Sequence, residues 1–307
     1  MRLDDFDPDI NVEDQRGRSF GGSGGLGGGM LLGLIPWVFS RFGCAGVAIL
    51  LVVLAVFGGG LGMLGGGGSS TSQLGAPSQQ VGSREAGGTN ASTSCTVDAS
   101  SKSACNAFSS ADKTWAAMFQ QNGQTFEQPK LVFYGGEGQS GCGAAQSAMG
   151  PFYCPTDQGI YLDTSFFQEL STRFGAKGDF AQDYVIAHEF GHHIQKLTGI
   201  SEKVSEAQSR ADKTEGNHLS VMLELQADCY AGVWANKNQA RMDPGDVQEG
   251  MTAAHAIGDD TLQQEAQGRV VPDSFTHGTS AQRMQWLKKG LDTGDPAQCD
   301  TFQGALG

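Results

Sequence analysis

His188, Glu189 and His192 stand in the order His-Glu-Phe-Gly-His. On a helix, side chains four residues apart leave the same face one turn apart, so both imidazoles can reach one ion. Neutral imidazole nitrogen suits zinc, and a catalytic zinc takes three protein ligands while water holds the open position. Glu189 is adjacent to the first histidine, where it addresses that water rather than the metal. It is the candidate general base, taking a proton from the attacking water and passing it to a leaving amine. A chance HExxH on an exposed helix is the competing reading. Against it, Tyr184, Val185, Ile186, Ala187, Phe190 and Ile194 make the helix apolar on most sides. Imidazoles and carboxylates buried there require partners.

The third ligand has to come from elsewhere in the chain. Around Glu224 and Asp228 the sequence reads as a strongly apolar helix carrying two acids one turn apart. Burial of two carboxylates is costly without compensation, which Glu224 on zinc and Asp228 on the second nitrogen of a histidine ligand would provide. Two acids on a solvent stripe are the alternative. His193 sits about 100° around the helix from His192 and should miss the ion. Of His218, His255 and His277, His277 in the loop-like THGTSAQR stretch is the candidate donor to a developing oxyanion, with an idle exposed histidine as the rival reading. His255 reads as a packed helical residue. Arg283 and the Gly258-Asp259-Asp260 turn could brace the site. A His/His/Glu set without methionine or thiolate suits zinc better than copper or iron. No phosphate loop is present, and Gly138-Gln139-Ser140-Gly141 does not supply the spacing of a GxSxG nucleophile elbow.

The elements that must carry these residues are mostly helical. A helix opens near Asp179 and runs through the motif to about Leu197, with Gly199 as its stop. Others are expected over 110–121, 219–236, from Asp243-Pro244 toward Ile257, and over 279–291. KLVFY at 130–134 and GIYL at 159–162 read as short strands. The fold class is therefore α+β, mainly helical with a small sheet.

The 307 residues are unevenly composed, with many of the 46 glycines crowded into the first quarter. Residues 1–42, charged and then glycine-rich, read as a flexible cytoplasmic tail. Residues 43–64 are uncharged and long enough for a transmembrane helix. Arg16, Arg18 and Arg41 precede that run and no Lys or Arg follows before Arg84, which puts the N-terminus in the cytoplasm of a single-pass cell-membrane protein. Residues 65–94 read as a flexible linker and 95–307 as the exported domain, on the periplasmic or extracellular side. Cys95, Cys105, Cys142, Cys154, Cys229 and Cys299 all follow the apolar run and fit an oxidising compartment. Six cysteines allow about fifteen pairings, of which Cys95–Cys105, Cys142–Cys154 and Cys229–Cys299 are expected. A net charge of −13 disfavours nucleic acid as a partner.

HEFGHHIQ, ELQADCYAG, GPFYCPTDQGIYLD, IGDD and HGTSAQR together resemble the bacterial putative neutral zinc metallopeptidase family, over roughly residues 95–299. The resemblance implies a zincin-type domain behind a charged tail and one transmembrane helix. By similarity to gluzincin peptidases, His188 and His192 match the histidine ligands of Zn2+, Glu189 the base, Glu224 the glutamate ligand and Asp228 the acid four residues on. Gly159, Ile160, Tyr161 and Leu162 would match the edge strand that holds an extended substrate. The longer metzincin pattern is not met. What this implies is a membrane-anchored peptidase acting on peptides or proteins of the exported space or cell envelope. A zinc-stabilised peptide-binding module, in which Glu189 is dispensable, is the alternative.

Overall fold

Leu131, Val132, Phe133 and Tyr134 follow one another without a polar interruption and are all buried, as expected of a strand covered on both faces. They form β2 (Lys130–Tyr134), seen in a computed structural model that describes residues 1–4, 6–18, 20 and 90–306. β6 (Gly159–Asp163) lies parallel to β2, and β5 (Phe152–Cys154) pairs with β6 in antiparallel register. β1 (Val12–Asp14) runs parallel along the other side of β2, giving the order β1-β2-β6-β5. A separate hairpin joins β3 (Glu137–Ser140) to β4 (Gly143–Gln146).

This order corrects two expectations. The GIYL strand was expected at the edge of the sheet, yet β6 is paired on both sides and buried throughout. β5 occupies the edge instead; flanked by Pro151 and Pro155, it is too short to show a period-2 pattern. The second correction concerns the expected flexible tail. Its described residues belong to the same compact unit as residues 90–306, with Met1, Ile10 and Val12 each no more than 5 % exposed. A three-residue strand between charged residues carries no periodic signal of its own, so only its pairing with β2 reveals it.

Arg16, counted above as a charge that orients a membrane span, is a tie within the domain. Its guanidinium binds both carboxylate oxygens of Asp14, donates to Ser101 Oγ at 2.7 Å and to the Ser94 carbonyl at 3.0 Å, and lies 4.8 Å above the Phe133 ring. Among the described residues no helix is long and apolar enough to cross a membrane. Residues 43–64, the proposed span, lie outside the described residues, as do the linker residues up to 89. The parts of one sheet must lie on one side of any membrane, so a single crossing between β1 and β2 conflicts with their pairing. The single-pass arrangement, and the localisation built on it, are thereby corrected.

Nine helices are described: α1 (Ala91–Ser94), α2 (Ala99–Gln121), α3 (Ser165–Thr172), α4 (Asp179–Leu197), α5 (Ile200–Arg210), α6 (Lys213–Lys237), α7 (Asp246–Ala256), α8 (Asp259–Gln267) and α9 (Ser280–Thr293). α2 begins well before the apolar stretch that suggested it, because Asp98 caps it by accepting from Ser101 N at 2.6 Å. The motif helix α4 is apolar nearly all round and central. Phe190 meets Phe108 of α2 edge-on at 5.5 Å, and Phe180 stacks on Trp234 of α6 at 6.1 Å.

Glycines set how closely the site-bearing helices approach. A Cβ on Gly232 of α6 would come within 2.1 Å of the Leu287 carbonyl oxygen, and one on Gly290 of α9 within 1.9 Å of that of Cys229. The two backbones therefore touch. Gly191, inside the motif, faces Ala227 of α6 less tightly, 3.0 Å from a would-be Cβ to its Cα. Disulfides Cys95–Cys105, Cys142–Cys154 and Cys229–Cys299 are all formed, the last tying α6 to the end of the chain.

If the N-terminal strand is integral to the core, Ile10→Ala should cost about 2–5 kcal/mol in chemical denaturation. A loss under about 0.5 kcal/mol, the scale of exposed positions, would mean that the segment stands apart from the domain.

Candidate active site

α4 carries His188 and His192 on one face, their rings 4.9 Å apart and perpendicular. α6 crosses beside it and brings Glu224 between them. Glu224 Oε2 lies 3.1 Å from His188 Nε2, and Oε1 lies 3.4 Å from His192 Nε2. Single ligand atoms of these three residues all fall within 4.8 Å of one another.

The rear nitrogens show what the front ones offer. His188 Nδ1 faces Asp228 Oδ1 at 2.7 Å, and His192 Nδ1 faces Gln195 Oε1 at 2.8 Å. The amide of Gln195 is oriented by donating from Nε2 to the Leu223 carbonyl and to Gln226. Both partners of the rear nitrogens are acceptors, so each imidazole carries its hydrogen on Nδ1 and turns a lone pair at Nε2 toward a carboxylate. Three acceptors converging in a buried place demand a cation, and two imidazoles with one carboxylate are a donor set that fits zinc. The electrostatics show the same demand for positive charge, met by a proton where no metal is bound. Burial opposes charge at His188, but the Asp228 and Glu224 carboxylates outweigh it and raise its pKa to about 10. Burial likewise opposes ionisation of Glu224, yet His192, His277 and His188 hold it well below the usual carboxylate range.

Asp228 is fully buried and accepts from four donor atoms. Tyr184 Oη donates at 2.6 Å, His188 Nδ1 at 2.7 Å, Arg283 Nε at 2.9 Å and Arg283 Nη2 at 3.0 Å. The guanidinium in turn donates from Nη1 to the Ile257 carbonyl at 3.1 Å. Arg283 is 2 % exposed, so its bracing role, left open by the sequence, is a buried ion pair with Asp228.

Glu189 is 7 % exposed beside these groups. Burial raises its pKa, and His188 and His192 partly offset the rise. His277 is placed by Asp259, whose Oδ2 accepts from the backbone N–H groups of Thr276, His277 and Gly278 at 2.7, 2.6 and 3.1 Å. Asp259 Oδ1 stands 3.3 Å from His277 Nδ1. The next residue, Asp260, accepts from Ser280 N at 2.7 Å, so the Gly-Asp-Asp turn holds the whole HGTSAQR loop. His277 has a side chain 52 % exposed; its partial burial works against a charge, while Glu224 and Asp259 raise its pKa. His193 is apart from this group. It donates from Nε2 to the Glu127 carbonyl and accepts from Tyr153 Oη at 3.0 Å, and burial lowers its pKa to about 4. His218 is exposed, and so is His255, which the sequence suggested was packed.

These residues lie in a cavity of about 760 Å³ walled by β5 and the segment before it, α3, α4 and α6. Met149, Pro151, Phe152, Phe166, Phe174 and Leu262 give it an apolar lining, and His188, Glu189, His192, Glu224, His277 and Arg283 open onto it. Of Gly159–Leu162 none lines the cavity; Phe152 and Tyr153 of β5 do. Sequence reasoning missed Tyr184, Gln195 and β5. The spacing of Tyr184 and Gln195, one turn before His188 and three residues after His192, was the available signal.

Helix-borne imidazoles at the HExxH spacing, a glutamate beside the first and a carboxylate from a second helix place the molecule among HExxH-type zinc metalloproteins. The chain belongs to the family described as putative neutral zinc metallopeptidase, which it matches over residues 1–302. It is 48 % identical over 295 residues to the uncharacterized protein YpfJ of Escherichia coli strain K12, covering 95 % of each chain. It is 45 % identical over 193 residues to the uncharacterized proteins Mb2605 of Mycobacterium bovis and Rv2575 of Mycobacterium tuberculosis, covering 59 % of this chain and 64 % of theirs. No solved structure matches it.

Asp228→Asn should weaken zinc binding by about 10–100-fold, measured by competition with a chelating dye. The same change strands the buried guanidinium and should cost about 3–5 kcal/mol of stability. Adding Arg283→Met should restore stability without restoring zinc affinity; recovery of both would assign Asp228 no part in orienting His188.

Proposed function

We propose that this protein is a zinc-dependent peptidase in which His188, His192 and Glu224 hold the metal and Glu189 is the general base. The observation that carries this reading is the convergence of two imidazole lone pairs and one carboxylate on a single point in the cavity, with Glu189 alongside. Bound zinc supplies Lewis acidity, bringing the pKa of water in its open position to about 7.

The protein's own residues do the rest. Among the described residues β5 is the edge strand beside the cavity, and Phe152 and Tyr153 reach that cavity, so an extended peptide adds to this edge by main-chain pairing. The apolar lining lowers the local polarity beside His188 and Glu189, which strengthens the charge interactions there. Glu189 accepts a proton from the attacking water at a carboxylate oxygen and later gives it to the amine nitrogen as the peptide bond breaks. Its elevated pKa, caused first by burial, favours holding that proton between the two steps. His277, with Nδ1 toward Asp259, keeps Nε2 for the developing oxyanion, and the raised pKa keeps it a donor. Asp228, Arg283 and Tyr184 act through His188 and are positioning residues.

Glu189→Gln should retain one zinc per chain, as measured by atomic absorption, while kcat on a denatured-protein mixture falls by about 10²–10⁴. Peptide binding without turnover by the zinc-loaded wild type would overturn the peptidase reading in favour of a binding module. His277→Ala should lower kcat by about 10²–10³ with KM and zinc content nearly unchanged. A change confined to KM would place His277 in substrate binding alone.

A further inference from the structure

A second cluster of charged groups lies at the opening turn of α4, away from the histidines. Asp179 begins that helix, and α7 starts beside it with Asp246 and Glu249 in its first turn. One carboxylate oxygen from each of the three lies within 4.8 Å of the other two. Their approach is built into the backbone. Gly178, at φ 109°, leaves the space that Glu249 occupies; a Cβ there would lie 2.0 Å from the carboxylate. Glu249 Oε2 accepts from Phe180 N at 3.2 Å, and Asp246, 3 % exposed, accepts from Asp243 N at 2.6 Å.

Carboxylates at helix starts are ordinary, since the free N–H groups and the helix dipole favour them. That explanation covers Asp179, Asp246 and Glu249. It does not cover Asp183, one turn further into α4, which is 2 % exposed and whose Oδ2 has no hydrogen-bond partner. A buried carboxylate oxygen without a donor is costly. Asp183 shares a face of α4 with Asp179, and the charges that act on it, after burial itself, are the Met1 ammonium, Asp179, Asp246 and Glu249. The Met1 ammonium lies 2.7 Å from Asp179 and 3.3 Å from Asp246. One monovalent cation thus faces four carboxylates, and it contacts two of them.

We propose that Asp179, Asp246 and Glu249 form a calcium site that ties the start of the HExxH helix to α7, with Asp183 as the buried acid whose charge the ion offsets. The donor set is all carboxylate oxygen from two helices, with neither imidazole nor thiolate, which suits a hard cation and not zinc. Calcium tolerates the irregular geometry of ligands drawn from separate elements and completes its shell with water, whereas magnesium demands a near-ideal octahedron. The ion adds its two positive charges to that of the Met1 ammonium, so that the four carboxylates are more nearly balanced. Asp183 precedes His188 by five residues, about 7.5 Å along the axis, so the ion sits on the same rigid rod as the histidines without touching them. The proposal is independent of whether the protein cleaves peptides.

The test uses the full chain loaded with zinc, so that added calcium meets a filled histidine site. Calorimetric titration with calcium chloride should show one site, and the melting temperature should rise by roughly 5–10 °C at a hundredfold excess over Kd. Asp183→Asn, which removes the unpartnered charge, should leave the calcium-free melting temperature unchanged or higher and abolish most of the calcium shift. Asp246→Asn should abolish it too, and zinc content should stay constant in every variant. No heat and no shift up to about 10 mM, beyond the weakest calcium modules, would overturn the proposal and leave the Met1 ammonium as the cluster's cation. A wild-type shift in the Asp183→Asn/Asp246→Asn double variant would overturn it equally.

Discussion

Asp228 is the point on which the site depends. It is a carboxylate without solvent contact, surrounded by the Tyr184 hydroxyl, the His188 imidazole and the Arg283 guanidinium. Burial alone would push a proton onto it, and Arg283 and His188 reverse that, holding its pKa below the usual carboxylate range. Because Asp228 stays an anion, the hydrogen of His188 stays on Nδ1, and the Nε2 lone pair faces Glu224. Gln195 does for His192 what Asp228 does for His188, with a neutral amide oxygen. His188 thus has a charged acceptor behind it and His192 a neutral one.

Such a network requires three helices closer together than ordinary side chains permit. Gly191 brings α4 against Ala227, while Gly232 and Gly290 let α6 and α9 meet backbone to backbone. Glu224 and Asp228 come from α6 and Arg283 from α9, so the glycines set the distances on which the hydrogen bonds depend. The Cys229–Cys299 bond begins at the residue next to Asp228 and anchors the chain after α9 to this contact. Backbone proximity, covalent linkage and a buried ion pair therefore act on the same few residues. In the hydrophobic core around them, displacement of one helix would leave a charge unpaired.

The sheet plays a different part. Its interior strands are covered on both sides, and only β5 presents an edge to the cavity. β1 forms the opposite edge with residues from the N-terminal segment, and Arg16 clamps that segment against α1 and α2. Of the two edge strands, β5 is the one beside the histidines. The first residues of the sequence, charged and unpatterned, are consequently part of the domain that holds the site.

The sequence by itself determined whatever depends on local spacing. His188 and His192 at i and i+4, and Glu224 and Asp228 at i and i+4 on an apolar helix, share helix faces as periodicity requires, whereas the meeting of the two helices and the Cys229–Cys299 bond are tertiary contacts. The helical character and the small sheet were legible for the same reason. Only the tertiary structure decided which strand is the edge, that β1 comes from the tail, that Arg16 binds Asp14 and Ser101, and that Asp259 positions His277. Each of these is a contact between residues far apart in the chain, formed by elements too short or too polar to announce themselves. Periodicity reports which face of an element is buried, and it carries no information about which distant element buries it.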